Sequence, residues 1–163
     1  MDIRLTRIDS RLIHGQVALN WVKARGVETI ICAGDAAAAD DLRKQLLLQA
    51  APSGVKANVL STAKTARVYN NPKYETMPVM LLVESPGEAV KLIDSGIPLT
   101  EINLGGLTFK TGAIQLGDAV FARPEDIEAL KTLLSRGVKV TIQILPKDTP
   151  VNVAEVLSKK GLL

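Results

Sequence analysis

The chain has 163 residues, of which 47% are hydrophobic and 23% are charged, and this composition predicts one soluble globular domain over residues 1–163. The net charge of +3 comes from dispersed side chains, without a basic run or an aromatic platform, which argues against a nucleic-acid binder. The single cysteine, Cys32, excludes an internal disulfide bond, and no apolar run approaches the roughly 20 residues needed to cross a bilayer, so we expect a cytoplasmic protein.

Short aliphatic runs alternate with helix-like stretches along the whole chain. The aliphatic runs predict six strands, at residues 3–8, 29–33, 57–60, 79–83, 101–104 and 139–144. The stretches between them predict six helices, at residues 16–24, 40–51, 62–69, 86–95, 124–135 and 151–159. Aromatic residues make up only 3% of the chain, so we expect an aliphatic core of the kind found in buried parallel sheets.

Residues 112–122 interrupt this alternation. They contain two strand-like runs around Gly117 and Asp118, a pattern that fits either a small hairpin or an antiparallel edge strand. The predicted fold is therefore α/β: an open, mostly parallel sheet with helices on both faces and an antiparallel edge strand or hairpin.

The only histidine, His14, lies between the first predicted strand and the first predicted helix. A helix N-terminus carries free N–H groups and a partial positive charge, so it favours an anion. Arg7 and Arg11 lie close by in sequence, and a guanidinium matches the geometry of phosphate oxygens. A neutral imidazole is also a competent nucleophile near neutral pH. This pattern predicts a loop that holds a phosphoryl group on His14 itself, against the alternative of an ordinary surface histidine.

Other residues are predicted to lie at the same edge of the sheet, and most of them have more than one possible role. The N–H groups of Gly15 and Gln16 are expected to contact the phosphoryl group. Gly105 and Gly106 follow the fifth strand and either let the backbone approach the phosphoryl group or form a tight turn. Two aspartates also have two possible roles each. Asp9 either orients an arginine or the imidazole, or caps the loop, and Asp35 either orients an arginine or caps the next helix.

Three other classes of site fit less well. With one histidine and one cysteine, a metal site would need ligands from carboxylates alone, so we expect no metal. A Ser-His-Asp hydrolase would have to use Ser10 and Asp9, which are too close in sequence for the relay geometry. A non-catalytic α/β module that binds a phosphorylated metabolite or a nucleotide at the same loop remains the principal alternative.

The segment at residues 7–17 reads Arg7-Ile8-Asp9-Ser10-Arg11-Leu12-Ile13-His14-Gly15-Gln16-Val17. It closely resembles the opening signature of the IIB components of the bacterial phosphoenolpyruvate-dependent sugar phosphotransferase system, mannose/fructose/sorbose family. The resemblance covers nearly the whole chain and continues through residues 41–44, 50–56, 68–74 and 103–109. Leu107 stands where the family usually has methionine, and Ser10 where many relatives have an acidic residue.

The resemblance implies a function. His14 accepts a phosphoryl group on Nδ1 from a phosphohistidine of a IIA partner and passes it to a sugar that enters through membrane IIC and IID partners. The chain would thus be the IIB component of a protein-N(pi)-phosphohistidine–sugar phosphotransferase. It would be cytoplasmic, peripherally associated with the membrane transporter, and without a cofactor. Arg11, Arg7 and Asp9 would assist His14. Mannose, fructose, sorbose and amino sugars all remain open as substrates.

Overall fold

The structure, a computed structural model, describes residues 1–163. The strands are β1 (Asp2–Asp9), β2 (Thr29–Ala33), β3 (Lys56–Leu60), β4 (Pro78–Val83), β5 (Glu101–Gly106), β6 (Ile114–Gly117), β7 (Val120–Ala122), β8 (Lys139–Ile142) and β9 (Val151–Asn152). The helices are α1 (Gly15–Arg25), α2 (Asp35–Ala39), α3 (Asp41–Gln49), α4 (Thr62–Tyr69), α5 (Pro86–Asp94), α6 (Pro124–Ser135) and α7 (Val153–Lys159), with a short 3-10 helix at Pro72–Tyr74.

Seven strands form one sheet in the order β3-β2-β4-β1-β5-β8-β9. All neighbouring pairs are parallel except β8 and β9, which pair antiparallel at the edge. β6 and β7 form a separate antiparallel hairpin. The predicted fold class is confirmed, and the chain contains both a hairpin and an antiparallel edge strand. The hairpin forms at residues 112–122 as predicted, whereas the edge strand lies further along the chain.

The inner strands are buried on both faces because helices cover each side of the sheet. In β2, Ile30 and Cys32 belong to one hydrophobic cluster, and Ile31 and Ala33 belong to the other. Trp21 of α1 packs into the first cluster, while α5, α6 and α7 contribute to the second. The alternation of side chains along a strand explains why near-continuous aliphatic runs are needed here. As the small aromatic content predicted, the core is almost entirely aliphatic.

Two predicted helices differ from the observed ones. The predicted helix at 40–51 corresponds to α3 alone, and a short helix that was not predicted, α2, precedes it. Asp40 has an extended backbone with φ of −97° and separates the two helices. Its carboxylate accepts the N–H of Arg43 at 3.0 Å and so caps α3. The last helix begins at Val153 rather than at residue 151, because the two residues before it pair with β8 as β9. Both differences arise at polar residues that start a helix.

The first strand occupies the centre of the sheet, between β4 and β5. The helix that follows it, α1, covers one face, whereas α5, which follows β4, covers the other face. A crevice forms at the carboxyl ends of strands where successive connections leave to opposite faces, and ligands of open α/β sheets bind there. The loop at residues 10–14 lies at this place.

Candidate functional site

The loop after β1 places His14 at the N-cap of α1, with an extended backbone at φ of −152° and ψ of 132°. No side chain caps this helix end. The first N–H groups of a helix have no partner within the helix, and here Gly15 and Gln16 are both exposed to solvent. The residue that the sequence singled out therefore lies beside free donors and the positive end of the helix dipole.

Two apolar side chains anchor the loop. Leu12 and Ile13 are each only 3% exposed and belong to the hydrophobic cluster under α1. Leu12 has a φ of 57°, a left-handed conformation that costs roughly 1–2 kcal/mol for a residue with a side chain. Burial of its side chain offsets this cost and holds the loop in shape. Because both side chains are buried in this cluster, they do not form an exposed apolar rim for a partner protein.

Asp9 is the centre of the site and has no exposed surface. Its Oδ2 accepts hydrogen bonds from Arg7 Nη2 at 3.1 Å and from His14 Nε2 at 2.9 Å. Its Oδ1 accepts the backbone N–H of Arg11 at 3.1 Å, and the Arg11 Nε lies 3.6 Å away. One buried carboxylate thus holds the imidazole, an arginine side chain and the backbone of the loop.

Opposing effects act on the ionisation of this carboxylate. Burial by itself would raise the pKa of Asp9, but the hydrogen bond and charge of His14 and the charge of Arg7 outweigh it, and the pKa lies below its usual value. Asp9 is therefore a carboxylate at neutral pH. An ionised carboxylate only accepts hydrogen bonds, so the proton of this hydrogen bond resides on His14 Nε2.

The other imidazole nitrogen, Nδ1, forms no hydrogen bond within the protein. A neutral imidazole protonated on Nε2 carries its lone pair on Nδ1. The side chain of His14 is 20% exposed, so the ring meets solvent on one side while Asp9 holds the other. Chemically, the arrangement presents a single nucleophilic nitrogen at a helix N-terminus.

The two arginines predicted to assist His14 occupy different environments. The side chain of Arg11 is 55% exposed, and its guanidinium interacts with protein only through the contact of Nε with Asp9. The side chain of Arg7 is 2% exposed and lies under Asp9, where its Nη1 donates to Asn103 Oδ1 and to the carbonyl of Gln143. Burial lowers the pKa of Arg7. Arg7 therefore supports Asp9 from inside, whereas Arg11 extends from the surface beside His14.

The glycines of the fifth strand lie in β5 itself, so the tight turn considered for them does not form. Gly105 faces the guanidinium of Arg7, and a Cβ on Gly106 would make an ordinary contact with Asp9 Oδ1 at 3.5 Å. Asp35 forms no hydrogen bond or ion pair with His14 or with an arginine. Its Oδ1 accepts the N–H of Thr62 at 2.9 Å and so caps α4, which is a helix other than the next one along the chain.

Sequence reasoning missed three residues around Arg7. Asn103 accepts from Arg7, Gln143 offers its carbonyl, and the ring of Trp21 lies 5.6 Å from the Arg7 Cζ. The sequence does contain an indication of one of them, because Asn103 is a polar residue between Ile102 and Leu104 in a strand predicted to be buried. A buried amide needs hydrogen-bond partners, and here the partners are an arginine and a carbonyl.

Several other features bear on the class of site. No group of three or more histidine, cysteine, aspartate or glutamate side chains is arranged to hold a metal ion. Cys32 is buried in β2, and burial raises the pKa of its thiol to about 12, which suits a core residue and not a nucleophile. None of the helices is both long enough and apolar enough to span a membrane.

The fold and the site together define an open α/β protein with one imidazole at a helix N-terminus, oriented by a buried carboxylate. Residues 3–163 match the family described as the PTS system sorbose subfamily IIB component, and the chain belongs to this family. It is 40% identical to the fructose-specific EIIB component of Bacillus subtilis (strain 168), covering 96% of both chains. It is 45% identical over 98% of its length to the mannose-specific EIIAB component of Escherichia coli (strain K12), and it spans about half (49%) of that relative.

Solved structures agree with the sequence relatives. The IIBSor domain of the sorbose permease from Klebsiella pneumoniae superposes with a TM-score of 0.93 at 38% identity, and the match covers 98% of each chain. The resemblance stated from the sequence is thereby confirmed at the level of the family.

Proposed function

We propose that the protein is a phosphoryl carrier in which His14 Nδ1 accepts a phosphoryl group from a phosphohistidine of a IIA partner and passes it to a sugar. The observation that carries the proposal is the hydrogen bond between His14 Nε2 and the buried Asp9 at 2.9 Å. It leaves Nδ1 as the only free nitrogen, beside an exposed arginine and an uncapped helix end.

In the first transfer, the Nδ1 lone pair attacks the phosphorus. The bond between phosphorus and the donor histidine breaks, and its electron pair returns to the donor imidazole. In the second transfer, a sugar hydroxyl oxygen attacks the phosphorus, and the Nδ1–P bond breaks with its pair returning to His14. The hydroxyl proton leaves to a base at the sugar site of the membrane partners.

The charges around His14 suit both steps. Negative charge spreads over the phosphoryl oxygens during transfer, and Arg11 with the N–H groups of Gly15 and Gln16 is placed to stabilise it. The ring of His14 becomes positive once Nδ1 carries the phosphoryl group, because Nε2 keeps its proton. The carboxylate of Asp9 lies at hydrogen-bond distance from Nε2 and stabilises this positive ring. Positioning and electrostatics then supply most of the catalysis.

The names of the relatives support a choice of partners. The fructose- and sorbose-specific relatives are named EIIB components, and the mannose-specific relative is named an EIIAB component. We therefore propose IIA as the phosphoryl donor and membrane IIC and IID components as the route to the sugar. In this arrangement the chain works at the membrane transporter as a peripheral component.

Intact-mass analysis tests the proposal. The protein is incubated with phosphoenolpyruvate, the general phosphotransfer proteins and its cognate IIA. We expect the mass of one phosphoryl group on the wild-type chain and none on His14→Gln, provided that circular dichroism shows that the variant is folded. Acid-labile phosphorylation that survives in His14→Gln would refute the assignment. Tight retention of a small phosphorylated molecule, without covalent modification, would instead support the anion-binding module.

A further inference from the structure

The second layer of the site, behind Asp9, consists of side chains from neighbouring strands. Arg7 lies in β1, and Asn103 is its partner in the parallel register of β5. Asn103 accepts from Arg7 Nη1 through Oδ1, while its own Nδ2 donates to the Gln143 carbonyl at 3.1 Å. The same carbonyl accepts from Arg7 Nη1 at 3.0 Å. These bonds fix the plane of the guanidinium and direct its other end, Nη2, at Asp9 Oδ2.

The position of Gly105 leaves no room for a side chain. A Cβ there would overlap Cζ, Nη1 and Nη2 of Arg7. A flexible arginine at the surface would move aside, but this guanidinium is buried, hydrogen-bonded to Asn103 and Gln143, and stacked near the ring of Trp21 at 5.6 Å. Any side chain at position 105 must therefore drive Arg7 away from Asp9. The glycine is needed for space and not for a left-handed backbone.

We propose that Asn103 and Gly105 are positioning residues that select which nitrogen of His14 carries the phosphoryl group. They act through Arg7, which places Asp9 Oδ2 so that this single oxygen meets His14 Nε2. This inference rests on the proposed function of His14. The two imidazole nitrogens are otherwise similar nucleophiles, so the choice between them depends on which one a partner holds.

The consequence is a specific chemical defect. Once Arg7 is displaced, Oδ2 of Asp9 loses the donor that fixes it. His14 lies at the surface, and its ring then gains the freedom to present Nε2 as well as Nδ1. The phosphoryl group should appear on both nitrogens, although His14, Asp9 and Arg11 all remain in place. A variant that only weakened the fold would slow transfer without changing the nitrogen that is used.

The experiment compares phosphohistidine isomers in wild-type protein, Gly105→Ala and Asn103→Ser. Each is phosphorylated through its IIA partner and digested in base, and the Nδ1 and Nε2 isomers are separated chromatographically. We expect the Nδ1 isomer alone in the wild type. In both variants the preference for Nδ1 should fall by roughly ten- to a hundredfold, the equivalent of one charge-assisted hydrogen bond. Exclusive Nδ1 phosphorylation in folded variants would overturn the inference.

A matched control lies on the next strand. Thr141 pairs with Asn103 in the register of β5 and β8, and its side chain makes no hydrogen bond to Arg7. Thr141→Val should keep the isomer preference of the wild type. A steric test uses Arg7→Ala, in which the space beside position 105 is free. Adding Gly105→Ala to Arg7→Ala should shift the isomer ratio no further, and an additive shift would contradict the steric argument.

A second measurement does not depend on phosphorylation. Nitrogen NMR of His14 reports the tautomer of the neutral ring, which we expect to be Nε2–H in the wild type and mixed in Asn103→Ser and Gly105→Ala. This readout separates the two proposals. If the wild type accepts no phosphoryl group, the proposed function fails, while the tautomer still tests positioning. A pure Nε2–H tautomer in Asn103→Ser would overturn the inference even if Gly105→Ala does not fold.

Discussion

At the scale of single residues, the site depends on which hydrogen-bond donors each of the two oxygens of the Asp9 carboxylate accepts. Oδ2 of Asp9 holds His14 and Arg7, while Oδ1 holds the backbone of Arg11. The imidazole is thus oriented by the same group that fixes the loop. This explains why a loop of five residues between a strand and a helix is enough to orient the proposed nucleophile.

Arg11 should matter for transfer and not for folding. Its exposed guanidinium has only one contact with protein, to Asp9 at 3.6 Å, so its removal should change the free energy of unfolding by less than about 0.5 kcal/mol. Single-turnover transfer from IIA should slow on the order of 10²-fold in Arg11→Ala. Arg11→Lys keeps the charge but loses the planar fork of donors. Its rate of transfer should therefore lie between those of the wild type and Arg11→Ala.

The control for Arg11 is another exposed arginine at a distance from His14. Arg136 pairs with Asp94 at the end of α6, and Arg136→Ala should transfer at the wild-type rate. Unchanged single-turnover transfer in Arg11→Ala would contradict the role that we assign to this side chain.

Asp9 should stabilise the fold in a way that depends on pH. In Asp9→Asn the buried charge of Arg7 loses its carboxylate, which should cost about 3–5 kcal/mol in the free energy of unfolding at pH 7. The pKa of Asp9 is lowered in the folded protein. Its stabilising contribution is therefore complete above the unfolded pKa of about 3.9 and is lost as the pH falls through the folded pKa.

Urea unfolding at several pH values measures this effect. The difference between the wild type and Asp9→Asn should stay constant between about pH 5 and 8 and should shrink below about pH 4. Asp94→Asn, which removes an exposed partner of Arg136, should cost less than about 1 kcal/mol. A difference for Asp9→Asn that grows in acid would have the wrong sign for our explanation.

Sequence reasoning identified the residues that are local to the loop and missed those that reach it through the sheet. His14, Arg11 and Asp9 lie within six residues of one another, so their association could be inferred from spacing. Arg7 was expected to supply charge directly, but its side chain points inward, because alternation along β1 places it among the strands. Asn103 comes to Arg7 through strand pairing, a relation that no short-range pattern encodes.

At the scale of elements, the loop between β1 and α1 is held by its apolar residues. Ile13 is 3% exposed in the cluster beneath α1, so Ile13→Asp should bury an unpaired carboxylate. We expect the variant to lose several kcal/mol of stability and to unfold at a markedly lower temperature. Thermal unfolding followed by circular dichroism checks this result.

The neighbouring exposed residue gives the matched control. Gln16 lies in the first turn of α1 and is open to solvent, so Gln16→Asp should leave the melting temperature close to that of the wild type. An acidic residue is also favourable near a helix N-terminus. If Ile13→Asp melted like the wild type, the loop would be anchored by something other than this side chain.

Longer elements were predicted more accurately than short ones. The hydrophobic runs of β2 and β4 are buried on both faces, and their patterns were clear in the sequence. The short helix α2, the start of α3 after Asp40 and the two-residue strand β9 depend on single capping and pairing interactions, which periodicity does not reveal.

At the scale of the whole molecule, the order of the strands places the candidate site at the carboxyl ends of the parallel strands. β1 is central, and its loop lies where α1 and α5 leave to opposite faces of the sheet. The seven strands therefore serve as a rigid platform for one short loop. A side chain on such a platform can face one partner and then another without a change in the fold, as the proposed carrier role would require.

Sugar phosphorylation should need the membrane partners. The chain has no helix that could span a membrane, and its only tryptophan, Trp21, is buried against Arg7, so it offers no exposed indole for a sugar to stack on. We expect phosphorylated protein alone to form no sugar phosphate from mannose, fructose, sorbose or an amino sugar. Membranes that contain the cognate IIC and IID should restore product formation, with the phosphoryl group leaving His14 at the same time. His14→Gln with the same membranes is the control and should remain inactive. Formation of sugar phosphate by the isolated protein would show that the acceptor site lies on this chain.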